Sequence, residues 1–240
     1  MASIATIRQR HSVREYVNTP IEGAPRAALL ALIEEAREAT GLDIQFVEDN
    51  PEVFAVAASF GLIHGCSNTI VIPKRDDAQE PAMGYWGQNI VLGAQELGLR
   101  TCWCGIFSRR NSHAVLREGE RHRVVIAVGY GANDGVERAT KPIGELSSVE
   151  CSTAPAWFAA AMEAAQLAPT ALNAQNFHIT LLEDGRTVRA EAAKRGYRRI
   201  DLGIVMRNFE VAANELGADW RWDKETAALL GARMAQLHRD

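Results

Sequence analysis

Apolar residues recur at spacings of three and four from Gly84 to Trp103 (GYWGQNIVLGAQELGLRTCW) and again from Gly203 to Trp222 (GIVMRNFEVAANELGADWRW). That period predicts a buried helix in each stretch. A shift of 119 residues lays Gly84 on Gly203, Asn89 on Asn208, Ala94 on Ala213, Trp103 on Trp222 and Glu96-Leu97-Gly98 on Glu215-Leu216-Gly217. Gly98 and Gly217 follow the last apolar turns, where glycine can end a helix in the left-handed conformation. Strand-like runs follow each copy, Thr101 to Gly105 and Ala218 to Trp222. The likeness extends upstream. Glu34, Ala36 and Ala39 match Glu163, Ala165 and Ala168; beyond them Ile44 and Glu48-Asp49 match Ile179 and Glu183-Asp184. The second copy holds extra residues within PTALNAQNF, where the first passes almost directly from Thr40 to Asp43. The pattern reads as an internal duplication.

The remaining elements follow from the same periodicities. Ile4 to Gln9 predicts a helical turn. Pro25 to Thr40 predicts an amphipathic helix with Leu29, Leu32, Ile33 and Ala36 on its buried stripe. Strands are expected at Ile44 to Glu48, Thr69 to Pro73, Val124 to Val128 (β-branched and central) and Phe177 to Leu182. Helices are expected at Pro51 to His64, Asn111 to Glu118, Pro155 to Ala168, Ile200 to Leu216 and Lys224 to Leu237, and a loop at Asp76 to Pro81. The Gly-rich, charged run from Gly129 to Ser148 marks the seam. Residues 1–130 thus form a first half, 131–150 a connection and 151–240 a second half.

Composition narrows the function classes. The 240 residues are 47% hydrophobic and 23% charged, an ordinary globular profile with room for a sizeable core. A net charge of -4 gives no ground for a nucleic-acid partner. No apolar run reaches membrane-spanning length, and the N-terminus lacks a signal-peptide core, so a cytoplasmic protein is expected. The four cysteines lack metal-ligand spacing and read as reduced core thiols. Neither a P-loop nor a Gly-x-Gly-x-x-Gly fingerprint is present.

Two stretches carry candidate chemistry. Arg8 to Tyr16 packs arginines, His11 and Ser12 into a compact donor cluster, which suits either a solvated arm or an anion site, since arginine forks match phosphate oxygens. Pro169 stops a helix and opens a loop whose Asn173, Gln175 and Asn176 offer amide donors and acceptors beside Phe177. Arg138 and Lys141 lie in the seam, where ordinary loop charge is the plainer reading.

Together these segments resemble the FMN-dependent nitroreductase superfamily. Arg10-His11-Ser12-x-Arg14 looks like its N-terminal phosphate motif. NIVLGAQELGLRTCWCGIF resembles its central helix and following strand, and Ala168-Pro169-Thr170-Ala171-Leu172-Asn173-Ala174-Gln175 its Ala-Pro-Ser-x-x-Asn-x-Gln loop. Arg138 and Lys141 resemble its later basic phosphate contacts. The loop ordinarily lies soon after the N-terminal motif. Its delay to the second half is similar to a subgroup in which one chain imitates the usual dimer. Gln175-Asn176-Phe177 stands where the family has Gln-Pro-Trp, a departure that bears on substrate specificity.

The resemblance implies an α+β, nitroreductase-like fold, internally duplicated as a pseudo-dimer, with mostly antiparallel central sheets flanked by helices. It implies FMN as cofactor, NADH or NADPH as donor, and ping-pong reduction of a small nitroaromatic, quinone or flavin acceptor by a monomer. Arg10, His11, Ser12 and Arg14 would hold the phosphate and ribityl chain, with Arg138 and Lys141 as further contacts. The backbone of Cys104, Gly105 and Ile106 would approach the ring. Pro169, Thr170, Asn173 and Gln175 would cover it. No general base and no metal are implied. The alternatives are a protein that stores, senses or cleaves flavin without reducing a substrate, and a flavin-free repeat protein.

Overall fold

A computed structural model describes residues 2–55, 61–192, 197–223 and 226. The chain forms two compact units. One, the sheet unit, comprises residues 9–79 and 90–137; the other, the helical unit, comprises residues 138–240 with 1–8 and 80–89.

In the sheet unit, α2 (Gly23–Thr40) buries Leu29, Ile33, Ala36 and Ala39 and ends at Gly41, whose φ of 70° lets its N–H reach the Arg37 carbonyl. The strands β1 (Gln45–Val47), β2 (Thr69–Lys74), β3 (Arg100–Cys104) and β4 (Arg121–Gly129) form a four-stranded sheet in the order β1-β2-β4-β3, with every pair antiparallel. The inner strands β2 and β4 read TIVIPK and RHRVVIAVG. Ile70 faces Ile126 and Val71 faces Val125 with no exposure at all. Their apolar runs, β-branched throughout Thr69–Ile72 and everywhere but Ala127 in Val124–Val128, fit strands covered on both faces. Register shifts at Ile72/Pro73, where proline has no N–H to give the ladder.

The helical unit holds α1 (Ile4–Gln9), α4 (Ile143–Leu146), α5 (Ala156–Gln166), α6 (Arg198–Glu215) and the hairpin of β5 (Phe177–Leu181) with β6 (Val188–Ala192). α3 (Glu80–Glu96) is one continuous helix, with residues 80–89 in the helical unit and 90–96 in the sheet unit. The core of the helical unit is aromatic: Phe158 and Phe209 are fully buried and meet edge-on at 5.8 Å, and Trp220 and Trp222 lie against Phe209.

The first ten residues of α3 cross α6 reciprocally. A Cβ on Gly84 would overlap the carbonyl oxygen of Ile200 and meet the Ile204 nitrogen, while one on Gly203 would overlap the Pro81 carbonyl oxygen and meet the Tyr85 nitrogen. Pro81 and Tyr85 are the residues that the 119-residue shift pairs with Ile200 and Ile204. The polar contacts repeat the relation. Gln88 donates to Asn208 (2.9 Å), and Arg207, its counterpart, donates to Asn89 (2.8 Å), the counterpart of Asn208. Both helices end alike, with Gly98 at φ 78° and Gly217 at φ 74°. Arg207 also reaches Tyr85 and Glu210, whose Oε1 accepts from the Tyr85 hydroxyl (2.8 Å). Ile204 and Val91, the counterparts of Tyr85 and Glu210, carry no polar group.

Several expected elements form differently. Pro51 to Phe54 is a single 3-10 turn rather than the start of a helix to His64. His64 instead bridges the Arg14–Tyr16 backbone in extended conformation; residues 56–60 lie outside the described ones. Asn111 to Glu118 makes no helix, because His113 takes φ 54°. Ala218 to Trp222 makes no strand: Asp219 has φ 43°, and the Trp220 N–H turns back to Asn214 Oδ1 at 2.6 Å. α3 begins at Glu80, inside the expected loop. The helix expected at Lys224 to Leu237 falls, apart from Thr226, outside the described residues. Among the described residues no helix is long and apolar enough to cross a membrane.

Candidate functional site

The candidate residues of the sheet unit gather around β3. Residues 10–14 run beside its free edge: Ser12 bridges Thr101 in parallel, and the Val13 N–H donates to the Thr101 carbonyl at 3.1 Å. Val13 is fully buried and anchors the segment, and the Tyr16 hydroxyl donates to the Val13 carbonyl at 2.9 Å. Gly135 (φ 79°) closes the other flank, where a Cβ would press on His11 Cβ at 2.8 Å. Arg10 is only 2% exposed, an unusual depth for a guanidinium. Arg14 is exposed, with Nη1 donating to the Ser12 carbonyl at 3.4 Å.

The Cys102 thiol senses this cluster. The Cys104 thiol, then the charges of Arg14 and Arg10 and a hydrogen bond with Ser12, hold its pKa below the ordinary thiol value despite burial. Cys104 is raised by its hydrogen bond with Cys102 and by burial, and Cys66 is pushed up to about 11, chiefly by burial. All three are free thiols. Arg10, Ser12 and Arg14 thus sit on the segment that runs beside β3, near Cys102. Cys104 ends that strand, and Gly105 and Ile106 follow directly. Gly105 to Arg110 line a cleft of about 360 Å³.

In the helical unit the loop from Pro169 to Gln175 is held by its own amides and by the backbone of Ala139 and Lys141. Gln175 is 3% exposed. Its Oε1 accepts from the Lys141 N–H at 2.9 Å, and its Nε2 reaches the carbonyls of Ala139 and Asn173, both at 3.3 Å. Asn173 Nδ2 donates to the same Ala139 carbonyl at 2.8 Å. Lys141 Nζ donates to the Gln175 carbonyl at 3.3 Å, and Thr170 Oγ1 accepts from the Gln175 N–H at 3.0 Å. Pro169 is buried. Leu172, Asn173 and Gln175 take φ values of 55°, 52° and 47°, a conformation L residues avoid outside special sites. Arg138, next to Ala139, is half-buried; burial pushes its pKa down to about 10, and its Nε has no hydrogen-bond partner among the described residues.

Two features escaped sequence reasoning. Backbone strain in the loop leaves almost no mark in the sequence, because only Asn173 among the three is a residue that tolerates positive φ. Arg109 and Arg110 on the cleft wall were signalled by the absence of any acidic residue from 106 to 117.

Known proteins match this architecture. The family model described as "Putative TM nitroreductase" covers residues 3–213. A crystal structure titled as that of a putative nitroreductase from Thermotoga maritima superposes with a TM-score of 0.66 at 21% identity, covering 90% of this chain and 85% of that one. A nitroreductase from Desulfovibrio desulfuricans, also titled putative and solved in complex with FMN, is 21% identical over 61% of this chain and 95% of its own (TM-score 0.49). No curated protein matches the chain. The mixed helices and antiparallel sheets are thus a nitroreductase-like fold, and the match over residues 3–213 shows that the chain belongs to the "Putative TM nitroreductase" family.

Proposed function

We propose that this protein is an FMN-dependent oxidoreductase of nitroreductase type, driven by NADH or NADPH and reducing a small nitroaromatic, quinone or flavin acceptor by ping-pong turnover. The observation that carries the reading is the pairing of residues 10–14 with the free edge of β3, which sets the buried Arg10, together with Ser12 and Arg14, beside that strand; the Cys102 pKa there is lowered first by Cys104 and then by the Arg14 and Arg10 charges. Guanidinium forks and a hydroxyl are the donor set that a phosphate monoester requires. Arg138 fits the same demand, as a half-buried cation with a buried Nε lacking an acceptor. When bound, FMN would supply the two-electron chemistry; the protein supplies binding, orientation and electrostatic tuning. Arg10, His11, Ser12 and Arg14 would hold phosphate and ribityl groups, with Arg138 and Lys141 as further cations. The backbone of Cys104, Gly105 and Ile106 would meet the ring, and Pro169, Thr170, Asn173 and Gln175 would cover it.

The reciprocal crossing of α3 and α6 supports a chain of two related halves divided near residues 131–150, acting as a monomer with one FMN. The purified protein is expected to show a flavin spectrum that NADH or NADPH bleaches rapidly without oxygen. Bound flavin that neither nucleotide bleaches would favour a storing or cleaving protein, and a colourless chain unable to take up FMN would exclude both readings. Arg14→Ala is expected to weaken FMN binding by about 1.5–3 kcal/mol, the range for hydrogen bonds to charged groups.

A further inference from the structure

The cleft after β3 carries a charge pattern that the flavin does not account for. From Ile106 to Arg117 the chain holds Arg109, Arg110, His113 and Arg117 and no acidic residue. Arg117 is neutralised by Asp43 at 2.8 Å. Arg109 and Arg110 are exposed on the cleft wall, and no carboxylate among the described residues lies within ion-pair distance of either. The Arg109 charge reaches inward: the His122 pKa is lowered by burial first and by Arg109 second.

The loop that presents them is fixed. The Ser108 N–H donates to the Val53 carbonyl (2.9 Å) and Asn50 Nδ2 to the Asn111 carbonyl (2.6 Å). Ser112, 1% exposed, donates to the Arg109 carbonyl at 3.2 Å, and Phe107 is buried against His122. The two cations are therefore displayed on preorganised backbone rather than on a loose tail. Beside them stands Ile106, an apolar side chain 51% exposed to solvent.

We propose that Arg109 and Arg110 form a subsite for a compact dianion on a ring-bearing ligand, namely the 2′-phosphate of NADPH, and so select NADPH over NADH. Two uncompensated guanidinium groups match a phosphate monoester in charge and in fork geometry, whereas a carboxylate would neutralise only one of them. NADH offers a neutral hydroxyl at that position. Ile106 provides apolar surface for the base or ribose. This inference rests on the reductase reading, because it needs a nucleotide at the cleft that starts with Gly105 and Ile106.

Calorimetry with 2′,5′-ADP, 5′-AMP and 4-nitrobenzoate on the FMN-loaded protein tests it without turnover. The wild type is expected to bind 2′,5′-ADP at least about tenfold tighter than 5′-AMP, the factor carried by one charge-assisted hydrogen bond. Arg109→Ala/Arg110→Ala should abolish that preference and lower the NADPH-to-NADH ratio of kcat/KM by a similar factor. Both side chains are exposed, and an unchanged melting temperature would show that the variant folds. Equal binding of the two adenosine phosphates by the wild type, or a preference that survives the double substitution, overturns the proposal. Tighter binding of 4-nitrobenzoate than of 2′,5′-ADP would assign the arginines to an anionic acceptor, and loss of FMN from the variant would assign them to the flavin; either result overturns it. Failure of both nucleotides to bleach the flavin sinks the reductase reading instead, whereas equal bleaching by both sinks only this inference.

Discussion

Helix α2 passes into β1 through four residues, Gly41 to Ile44, whereas its counterpart α5 passes into β5 through ten, Leu167 to Asn176. In the short connection glycine supplies the left-handed residue, and the Thr40 hydroxyl accepts from the Leu42 N–H at 3.1 Å. Asp43 is then tied to Arg117. The long connection uses no glycine; Leu172, Asn173 and Gln175 take positive φ, and the buried Gln175 amide and the half-buried Asn173 amide tie the loop to residues 139–141. Strain of that kind costs about 1–3 kcal/mol per residue and persists where the surroundings over-determine it, most often at functional sites. The short connection closes with a glycine and little strain, and the long one keeps a strained shape whose amides hold it in place.

The comparison presupposes two related halves, and the α3–α6 crossing is where they agree. Gly84→Ala and Gly203→Ala should each cost about 3 kcal/mol, since the new methyl meets backbone carbonyl and can move nothing but the helix. For a chain of this size that lowers the melting temperature by about 6–12 °C. Gly93→Ala should cost clearly less, because its methyl would meet only the Leu32 side chain, which can turn aside. A large effect at Gly203 with none at Gly84 would break the equivalence of the two helices.

The difference between the halves is sharpened by removing what holds each connection. Gln175→Ala leaves the half-buried Lys141 N–H without its acceptor, a loss of about 2 kcal/mol. Gly41→Ala meets nothing within 4 Å of the new methyl, so only the φ of 70° counts, about 1 kcal/mol. Thermal unfolding should rank them in that order. Hydrogen exchange at residues 169–176 should rise in Gln175→Ala and stay unchanged in Gly41→Ala. Equal exchange in both variants would mean that Gln175 does not hold the loop.

Much of the fold was legible because it rests on periodicity. Leu29, Ile33 and Ala36 of the α2 stripe, the β-branched run of β4 and the capping glycines Gly98 and Gly217 took the places their patterns implied, whereas Leu32 is only half-buried and Ala39 is buried in addition. What failed was set by tertiary pairing. His64 is drawn into an edge bridge with the Arg14–Tyr16 backbone, and Trp220 and Trp222 leave their expected strand to pack on Phe209. Of the candidate residues, Arg10, Ser12 and Arg14 were legible as a donor cluster, but the depth of Arg10 was not. The amides of Asn173 and Gln175 were legible as polar loop groups. That they bond to the Ala139 and Lys141 backbone, 34 and more residues away, depends on tertiary pairing that the sequence does not show.

The smallest expected effect is the sharpest test of why the long connection is strained. Leu172 is 99% exposed at φ 55°, so its side chain packs against nothing, and relief of the backbone is the main consequence of Leu172→Gly. Glycine removes about 1 kcal/mol of left-handed penalty. It also adds unfolded-state entropy worth about 0.5–1 kcal/mol, so stability should shift by less than about 0.5 kcal/mol either way. The loop itself should loosen, because glycine at 172 opens backbone states that leucine forbids. If the strained shape presents Asn173 and Gln175 to the flavin, FMN affinity should fall about threefold, roughly 0.6 kcal/mol, with faster amide exchange at Asn173 to Asn176. Faster exchange with undiminished FMN affinity would show that the flavin does not use the loop's fixed shape. The ten-residue connection would then differ from the four-residue one in length and strain, but not in purpose.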